Sequence, residues 1–449
     1  MISFLKRIWS NKRGNTLAIA AASMPLFIGA AGLASDTIQW TLWKRQLQRA
    51  ADSAAIAGVY DREAETGGTT NTAAAVARDL LINRHTYYAL QTGKANCSGT
   101  CTISYPADSG AATNQVSVTI AIQQPLAFSS FFLSTAPVIT ATSTAASITT
   151  GTPCALALNS TGTAMNYSGN ATVNAPTCIL YSDSASANSA SAGGSSSVTA
   201  QSVAAVGGIQ QSNNFTVQSY IPYSPSIPDP FANVTPDPTQ MHCAVSSSTK
   251  KGVTTYTPLA LTDGMDITTL TDQSGNPANC FSSLSVGSNR TLAIPASYTG
   301  PIYVNGGSVD LQGAFSCAAC TIVITNTSTA SNATIGSFTS NAQATNNITS
   351  PTTGTYAGIA VYQDRRATGN TDKINGGSSN IISGAVYFPK DTLQINGTGT
   401  ASSLCAMWVA NNITFLGNSS ISISSPNDTA CSGKEAGTNA AVKMVRLVA

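Results

Sequence analysis

Side chains capable of acid–base chemistry are scarce in this chain and form no recognised catalytic pattern. Only 9% of the 449 residues are charged, and there are two histidines. A polysaccharide lyase or hydrolase needs carboxylates and basic groups that converge on one face. In the C-terminal half, three consecutive charged residues, Asp364, Arg365 and Arg366, follow a short apolar run. We interpret these three as weak candidates for a surface site, and we assign no catalytic residue.

The ten cysteines favour disulfide bonds over a metal site or a redox centre. They fall into sequential pairs, Cys97 and Cys101, Cys154 and Cys178, Cys243 and Cys280, Cys317 and Cys320, and Cys405 and Cys431. An even number of cysteines is typical of an oxidising compartment. The one CxxC spacing has no second CxxC and no paired histidines beside it, so a zinc site is not predicted. We predict local pairing, with connectivity left open, and neither a metal nor another cofactor.

An apolar segment near the N-terminus precedes all of these candidate residues and has the length of a membrane span. Residues 17–34 hold no charge, and as a helix they would span about 27 Å, close to the hydrocarbon thickness of a bilayer. Basic residues precede the segment, namely Lys6, Arg7, Lys12 and Arg13, and the next one is Lys44. This asymmetry predicts a cytoplasmic N-terminus with the remainder of the chain outside.

Two interpretations of this segment compete, a cleaved signal peptide ending at residues 32–34 and a retained anchor. We predict retention because an amphipathic helix continues directly from the apolar segment. Its apolar stripe consists of Leu42, Leu47, Ala50, Ala51, Ala54, Ala55 and Ala57. The predicted anchor residues are Leu17, Pro25, Leu33, Trp40 and Trp43, with the two tryptophans at the interface.

The order of short motifs in this stretch resembles the N-terminal segment of TadG-like proteins of Flp (tight-adherence) pilus assembly systems. The motifs are Arg13-Gly14-Asn15, the central Pro25, Leu33-Ala34-Ser35-Asp36 and the Ala-rich helix over 47–55. The resemblance implies a single-pass protein of the bacterial inner membrane. It also implies a C-terminal bulk in the periplasm or beyond, with other pilus-assembly proteins as partners.

Two departures refine that resemblance. Pilins of the same systems carry Glu five residues after a cleavable Gly, where this chain has Ile19. We therefore expect no processing by the prepilin peptidase. Many TadG-like proteins carry a von Willebrand A domain with an Asp-x-Ser-x-Ser metal site. The nearest string here, at 183–187, has Ala at both positions where the motif requires Ser, so we assign neither that domain nor its metal.

The next part of the chain reads as a small pilin-like α+β module. A second helix is predicted over 71–88 from apolar residues at the 3.6 period, and alternating runs at 115–122 and 138–148 predict strands. Between those strands stand Phe128, Phe131, Phe132 and Leu133. We expect this aromatic run to pack in the core against the helices, with an insertion or docking surface as the alternative.

From residue 151 onward, short apolar runs recur between Gly, Asn and Ser. Strands this short and frequent favour a parallel β-helix, with an antiparallel β-sandwich as the alternative. The later runs, at 358–366 and 384–389, are similar to the β-helical region of TadG-like proteins without the von Willebrand domain. The predicted class is thus α+β. It comprises an anchor at 1–35, a module at 36–150, a β-rich start at 151–218, a Pro-rich linker at 219–240 and a β-rich domain at 241–449.

Three functions fit these patterns. The leading hypothesis is a non-enzymatic, membrane-anchored component of a Flp/Tad-type pilus assembly or adherence system. The alternatives are a secreted or surface adhesin that binds glycans and, less favoured, a β-helical polysaccharide-degrading enzyme. Net charge is +2 and no basic patch alternates with aromatic residues, so no nucleic-acid partner is expected.

Overall fold

A computed structural model describes residues 12–65, 68–69, 71–83, 101–376, 380–397, 400–404, 407–423 and 440–448. The chain forms two compact units. The first comprises Met1–Ile148 together with Val445–Ala449, and the second comprises Thr149–Met444. Cys97, Cys405 and Cys431 lie outside the described residues, as does the predicted helical stretch beyond residue 83.

The first unit is built on one long helix, α1 (Lys12–Ala64), followed by α2 (Thr72–Asn83). Its strands are β1 (Cys101–Ser104), β2 (Ala112–Gln123) and β3 (Val138–Gly151), and the last strand of the chain, β30 (Val442–Leu447), joins them. Strand β2 pairs antiparallel with β1 and with β3. The predicted helix through the apolar and Ala-rich stretches is confirmed, and Pro25 lies inside it without ending it.

Small residues let α1 approach the sheet closely. Of the predicted apolar stripe, Leu47, Ala50, Ala51, Ala54 and Ala55 are buried against α2 and β2, whereas Ala57 is half-buried and Leu42 is exposed. Val76, Val116 and Ile120 complete this core. At Gly58 an added Cβ would lie 2.8 Å from a Val116 side-chain carbon and 3.1 Å from one of Val76. A larger residue there would force these elements apart.

The second unit contains most of the strands. They are β4 (Pro153–Ala157), β5 (Met165–Tyr167), β6 (Thr172–Ser182), β7 (Ala190–Ala192), β8 (Ser197–Ala205), β9 (Ile209–Gln210), β10 (Phe215–Ile221), β11 (Val245–Lys250), β12 (Val253–Pro258), β13 (Leu261–Thr262), β14 (Cys280–Phe281), β15 (Leu284–Val286), β16 (Thr291–Ala293), β17 (Pro301–Asn305), β18 (Val309–Leu311), β19 (Ala314–Cys317), β20 (Thr321–Thr325), β21 (Phe338–Ser340), β22 (Thr345–Thr349), β23 (Ile359–Gln363), β24 (Thr371–Gly376), β25 (Asn380–Ser383), β26 (Ala385–Gly397), β27 (Thr400–Leu404), β28 (Trp408–Phe415) and β29 (Ser420–Ile423). Strands β11 and β12 form a separate antiparallel hairpin.

The remaining strands pair in parallel along three sides of a β-helix. Side A runs through β14, β17, β20, β23, β26, β28, β4, β6, β8 and β10. Side B runs from β13 through β15, β18, β21, β24, β26, β28, β5 and β7 to β9. Side C runs from β16 through β19, β22, β25, β27, β29, β6 and β8 to β10. The predicted parallel β-helix is therefore confirmed over the alternative sandwich.

The coils do not stack in chain order. Strand β4, the first of this unit, lies on β28, and β6 lies on β29. The chain thus enters the β-helix part of the way along, winds to one end at β10, and continues from the other end. Residues 222–242, which we name the strap, connect the two ends.

The strap is packed against side A, although its Pro-rich sequence suggested a linker. Ile227, Phe231 and Met241 of the strap are buried in one cluster with outward-facing residues of side A, including Tyr181 and Tyr387. Side A is therefore covered on both faces, which explains its continuous apolar strands. Sides B and C instead alternate buried and outward-facing residues, as β18 of side B and β22 of side C do.

Three of the predicted disulfides join described residues, Cys154 to Cys178, Cys243 to Cys280 and Cys317 to Cys320. Cys101 is also disulfide-bonded. The CxxC pair is buried inside the β-helix. Within the part of the chain that the structure describes, no group of three or more His, Cys, Asp or Glu is placed to hold a metal ion.

Candidate membrane-anchoring site

The N-terminal half of α1 exposes an apolar surface. Its exposed large side chains are Ile19, Met24, Leu26, Phe27, Ile28, Leu33, Ile38 and Leu42, and Phe27 is 68% exposed. This part of α1 is long and apolar enough to cross a membrane, the one such helix among the described residues. A helix surface this apolar is unfavourable in water and favourable in lipid. Leu17 lies in α1, and its side chain is outside the described residues.

The two tryptophans predicted as interfacial anchors have different surroundings. Trp40 is 36% exposed, and the ammonium of Lys44 lies 5.6 Å from its ring centroid. Trp43 is 6% exposed and belongs to the core of the first unit with Leu47. The helix thus changes from an exposed to a buried element within one turn. Only Trp40 retains the surface position that an interfacial anchor requires.

Asp36 holds a distant loop against α1. Its carboxylate accepts hydrogen bonds from the Phe128 N–H at 2.9 Å, and from the Ser129 N–H and hydroxyl at 2.5 Å each. The residue is 4% exposed. Burial alone would raise the pKa of Asp36, but these hydrogen bonds outweigh it and lower the pKa below its usual value. The carboxylate therefore caps the 3-10 turn Ser129–Phe131 from another element.

Gly32 leaves the space on α1 in which the Phe128 ring of the same loop packs. An added Cβ at Gly32 would lie 2.3 Å from a ring carbon of Phe128. The Phe132 ring packs in turn on Phe128, with 5.3 Å between centroids. We name residues 128–133 the aromatic loop. Gly32 and Asp36 are one helical turn apart, so they fix the loop at two points on one face of α1.

The expected core packing of the aromatic loop is wrong for most of its residues. Phe131 is 83% exposed, Phe132 is 75% exposed and Leu133 is 52% exposed, whereas Phe128 is half-buried on Gly32. The loop's backbone is held by Asp36, which leaves these three side chains directed away from the core. In the sequence, Asp36 and the phenylalanines belong to separate motifs. No local pattern in the sequence predicts the contact between them.

Asp364, Arg365 and Arg366, the weak surface-site candidates, are engaged in contacts within the β-helix unit. Asp364 is buried and accepts hydrogen bonds from the Thr325 hydroxyl and from the Arg366 guanidinium, both at 2.7 Å. Arg366 also donates to backbone carbonyls of the loop that follows β20, including that of Asn326 at 3.1 Å. These bonds close a turn of the β-helix.

Arg365 reaches the strap. Its guanidinium donates to the carbonyls of Phe231 and Val234, the latter at 2.8 Å, and lies 3.4 Å from Asp229. The guanidinium carbon also lies 5.4 Å from the centroid of the Tyr387 ring. Tyrosine hydroxyls of side A donate to the strap in the same way, for example Tyr387 to Asp229 at 2.5 Å. Arg365 is therefore part of the attachment of the strap.

A pair of carboxyl groups is buried within the β-helix. The side-chain amide of Gln363 donates to Asp391 at 2.8 Å and lies 3.3 Å from an oxygen of Asp372. Burial raises the pKa of Asp372 to about 8, and the neighbouring Asp391 adds to that rise. Both carboxyl groups are fully buried. A substrate in solvent cannot reach them, so this pair is structural.

The described residues thus define a class of protein that combines one candidate membrane helix with a parallel β-helix. Residues 14–77 match the protein family described as Flp pilus-assembly TadE/G-like. The match covers the exposed and buried halves of α1 and enters α2. The resemblance read from the N-terminal motifs is thereby confirmed for this segment. No curated protein and no solved structure matches the chain.

Proposed function

We propose that this protein is a non-enzymatic, membrane-anchored component of a Flp/Tad-type pilus assembly or adherence system. The observation that carries the proposal is the coincidence of the TadE/G-like match at 14–77 with the helix whose first half is apolar and exposed. In this proposal α1 spans the inner membrane once. The β-helix is exposed on the outer side, where it contacts other pilus-assembly proteins.

The charge pattern supports this orientation. Four basic residues precede the apolar segment, and the first basic residue after it is Lys44. Positive charge flanking a short N-terminal segment retains that end in the cytoplasm. The disulfides are all on the other side of the segment, where an oxidising periplasm would form and preserve them.

A scaffold role suits the surface of the β-helix. Its outward positions on sides B and C are mainly Ser, Thr and Asn, and its interior is closed by parallel hydrogen bonding from coil to coil. The buried carboxyl pair is inaccessible, and the three candidate charged residues are engaged in turns and in the strap. These observations support a partner-binding surface over a catalytic one.

The proposal is tested first by topology. Two separate fusions are made after residue 449 of the full chain, one to alkaline phosphatase, which is active only outside the cytoplasm, and one to a fluorescent protein that fluoresces only in the cytoplasm. Membranes of cells that carry each fusion are then fractionated. We expect active phosphatase, a dark fluorescent fusion and recovery in the inner membrane. A soluble chain that begins near residue 35 would refute the anchor.

Pilus assembly provides the second test. The gene is deleted in the native bacterium, and Flp pili are counted by electron microscopy after complementation. The full chain should restore pili, whereas a matched chain with residues 1–35 replaced by a cleavable signal peptide should not. Normal pili in the deletion strain would refute a role in assembly.

Glycan adhesion is a second candidate function, favoured by one cavity. Asp183, Asp229, Arg365 and Lys390 contribute to the lining of a 330 Å³ cavity on the β-helix unit, together with Asn411. Such charged and amide groups are suited to sugar hydroxyls. A glycan-array signal that is lost in Lys390→Ala and kept in Lys250→Ala would favour adhesion.

A further inference from the structure

We propose that the aromatic loop is a second membrane contact of this protein. It inserts Phe131, Phe132 and Leu133 into the outer headgroup–acyl boundary of the same bilayer that α1 spans. This inference rests on the proposed membrane anchoring by α1. It adds a lipid-binding surface at a loop more than 90 residues away in sequence, as the separation between Asp36 and Phe128 shows.

The aromatic loop lies against α1 near the outer end of the predicted membrane-spanning segment. Phe128 is seated at Gly32, and Asp36 holds the backbone of Phe128 and Ser129. Gly32 precedes Ala34, the last residue of the predicted membrane-spanning segment 17–34, by two positions, or about 3 Å along the helix axis. The seat of the loop is therefore level with the outer end of the membrane-spanning segment.

The aromatic loop combines an absence of charge with exposed large apolar side chains. No Asp, Glu, Lys or Arg occurs in residues 124–137. Within this uncharged stretch, Phe131 and Phe132 expose most of their surface, and Leu133 about half of its own. Removing each large apolar side chain from water is favourable in proportion to the apolar surface that is covered. Three of them beside a bilayer make a strong interfacial contact.

The bilayer is the occupant that the surroundings favour. The exposed apolar surface of α1 includes Ile28 and Leu33, which flank Gly32 on the helix. The loop surface therefore continues a surface that already faces lipid. A protein partner at this point would have to replace lipid around α1 as well.

The hydrogen bonds of Asp36 make such a position feasible. Backbone N–H groups without partners are costly near hydrocarbon. Here the N–H groups of Phe128 and Ser129 are paired with the Asp36 carboxylate, and those of Phe131 and Phe132 donate to the carbonyls of Phe128 and Ser129. The loop thus presents apolar side chains while its polar backbone is satisfied.

Site-specific photo-crosslinking tests the inference in the full-length protein. Benzoylphenylalanine replaces one aromatic residue at a time, at Phe27, Phe132 or Tyr256, and the protein is reconstituted in vesicles of phosphatidylethanolamine and phosphatidylglycerol. Phe27 tests α1, and Tyr256 is an exposed aromatic residue of the β11–β12 hairpin. Adducts are identified by mass spectrometry after irradiation.

We expect lipid adducts from Phe27 and Phe132 and none from Tyr256. Lipid adducts from Phe27 alone would overturn the aromatic-loop contact and leave the anchor intact. Absence of lipid adducts at both Phe27 and Phe132 would overturn the anchor and the inference together. An adduct at Phe132 with another copy of this chain, in place of lipid, would also overturn the inference.

A second variant tests how the loop is positioned. Asp36→Ala, combined with benzoylphenylalanine at Phe132, removes the carboxylate that holds the loop. We expect the yield of lipid adducts at Phe132 to fall several-fold, while the yield at Phe27 in the same background is unchanged. An unchanged yield at Phe132 would overturn the role of Asp36 in placing the loop at the bilayer.

Discussion

Replacement of Arg365 by Ala is expected to loosen the strap on side A. The guanidinium donates to the carbonyls of Phe231 and Val234 and pairs with Asp229 at 3.4 Å. A hydrogen bond to a charged group contributes about 1.5–3 kcal/mol. Because 28% of the Arg365 side chain is exposed, water can replace part of this set. We therefore expect the free energy of strap opening to fall by about 3 kcal/mol, or about 100-fold in the open fraction.

Native-state proteolysis measures this opening. Phe231 is 4% exposed, so chymotrypsin can cut after it only when the strap opens. When opening is fast relative to cleavage, the cleavage rate follows the open fraction. The matched control is Arg290→Ala, whose side chain is 71% exposed and lies 4.0 Å from Asp263. A surface pair of this kind contributes little, so the control should match wild type.

Equal cleavage rates in Arg365→Ala and Arg290→Ala would refute the reasoning. The strap would then be held by the apolar burial of Ile227 and Phe231 and by the tyrosine hydroxyls of side A, without a contribution from Arg365. A slower cleavage rate in Arg365→Ala than in wild type would refute it more strongly. The desolvation penalty of the guanidinium would then exceed the free energy gained from its contacts with the strap.

Three further predictions concern stability. Because the pKa of Asp372 is raised to about 8 in the folded state from 3.8, the contribution of Asp372 to stability should be greatest at acid pH and fall as pH rises from about 4 to about 8. Urea midpoints of wild type and of Asp372→Asn are measured against pH, and the stability of wild type relative to this variant should fall over that range; a difference that does not change with pH would contradict the burial argument. Gly58→Val should cost about 1–3 kcal/mol by overpacking, visible as a lower Tm, whereas Gly29→Val, with open space around it, should not destabilise the helix packing. Removing the disulfide with Cys154→Ser and Cys178→Ser should cost about 3 kcal/mol, since it closes a loop with a sequence separation of 24, and an unchanged urea midpoint would count against this.

Local patterns in the sequence were sufficient for the elements themselves. The continuous helix α1 follows from an apolar stretch that passes into an Ala-rich stripe at the helical period. The alternation at 115–122 predicted β2, and the short apolar runs predicted the β-helix strands. Each of these features depends on residues within a few positions of one another, which is the range over which propensity and periodicity act.

Burial of particular aromatic residues could not be inferred in this way. The aromatic loop and Trp43 are similarly apolar, yet Phe131 is exposed and Trp43 is in the core. The difference arises because Asp36 binds the loop backbone from 92 residues away, while Trp43 lies where α1 meets the core of the first unit. Hydrophobicity predicts that a side chain avoids water, and the neighbouring elements decide what it meets instead.

Residue order along the chain was enough to predict a membrane-type helix, a charge asymmetry across it, and a succession of short strands suited to coils. The stacking order of those coils emerges only in the folded chain, where β4 lies on β28 and the strap returns the chain along side A. Parallel coils of Val, Ile and Ala can stack on one another in many orders, because backbone hydrogen bonds do not distinguish one coil from another. The tyrosines of side A, Arg365 and the strap carbonyls make the distinction, since their contacts form only when the two segments meet in this order.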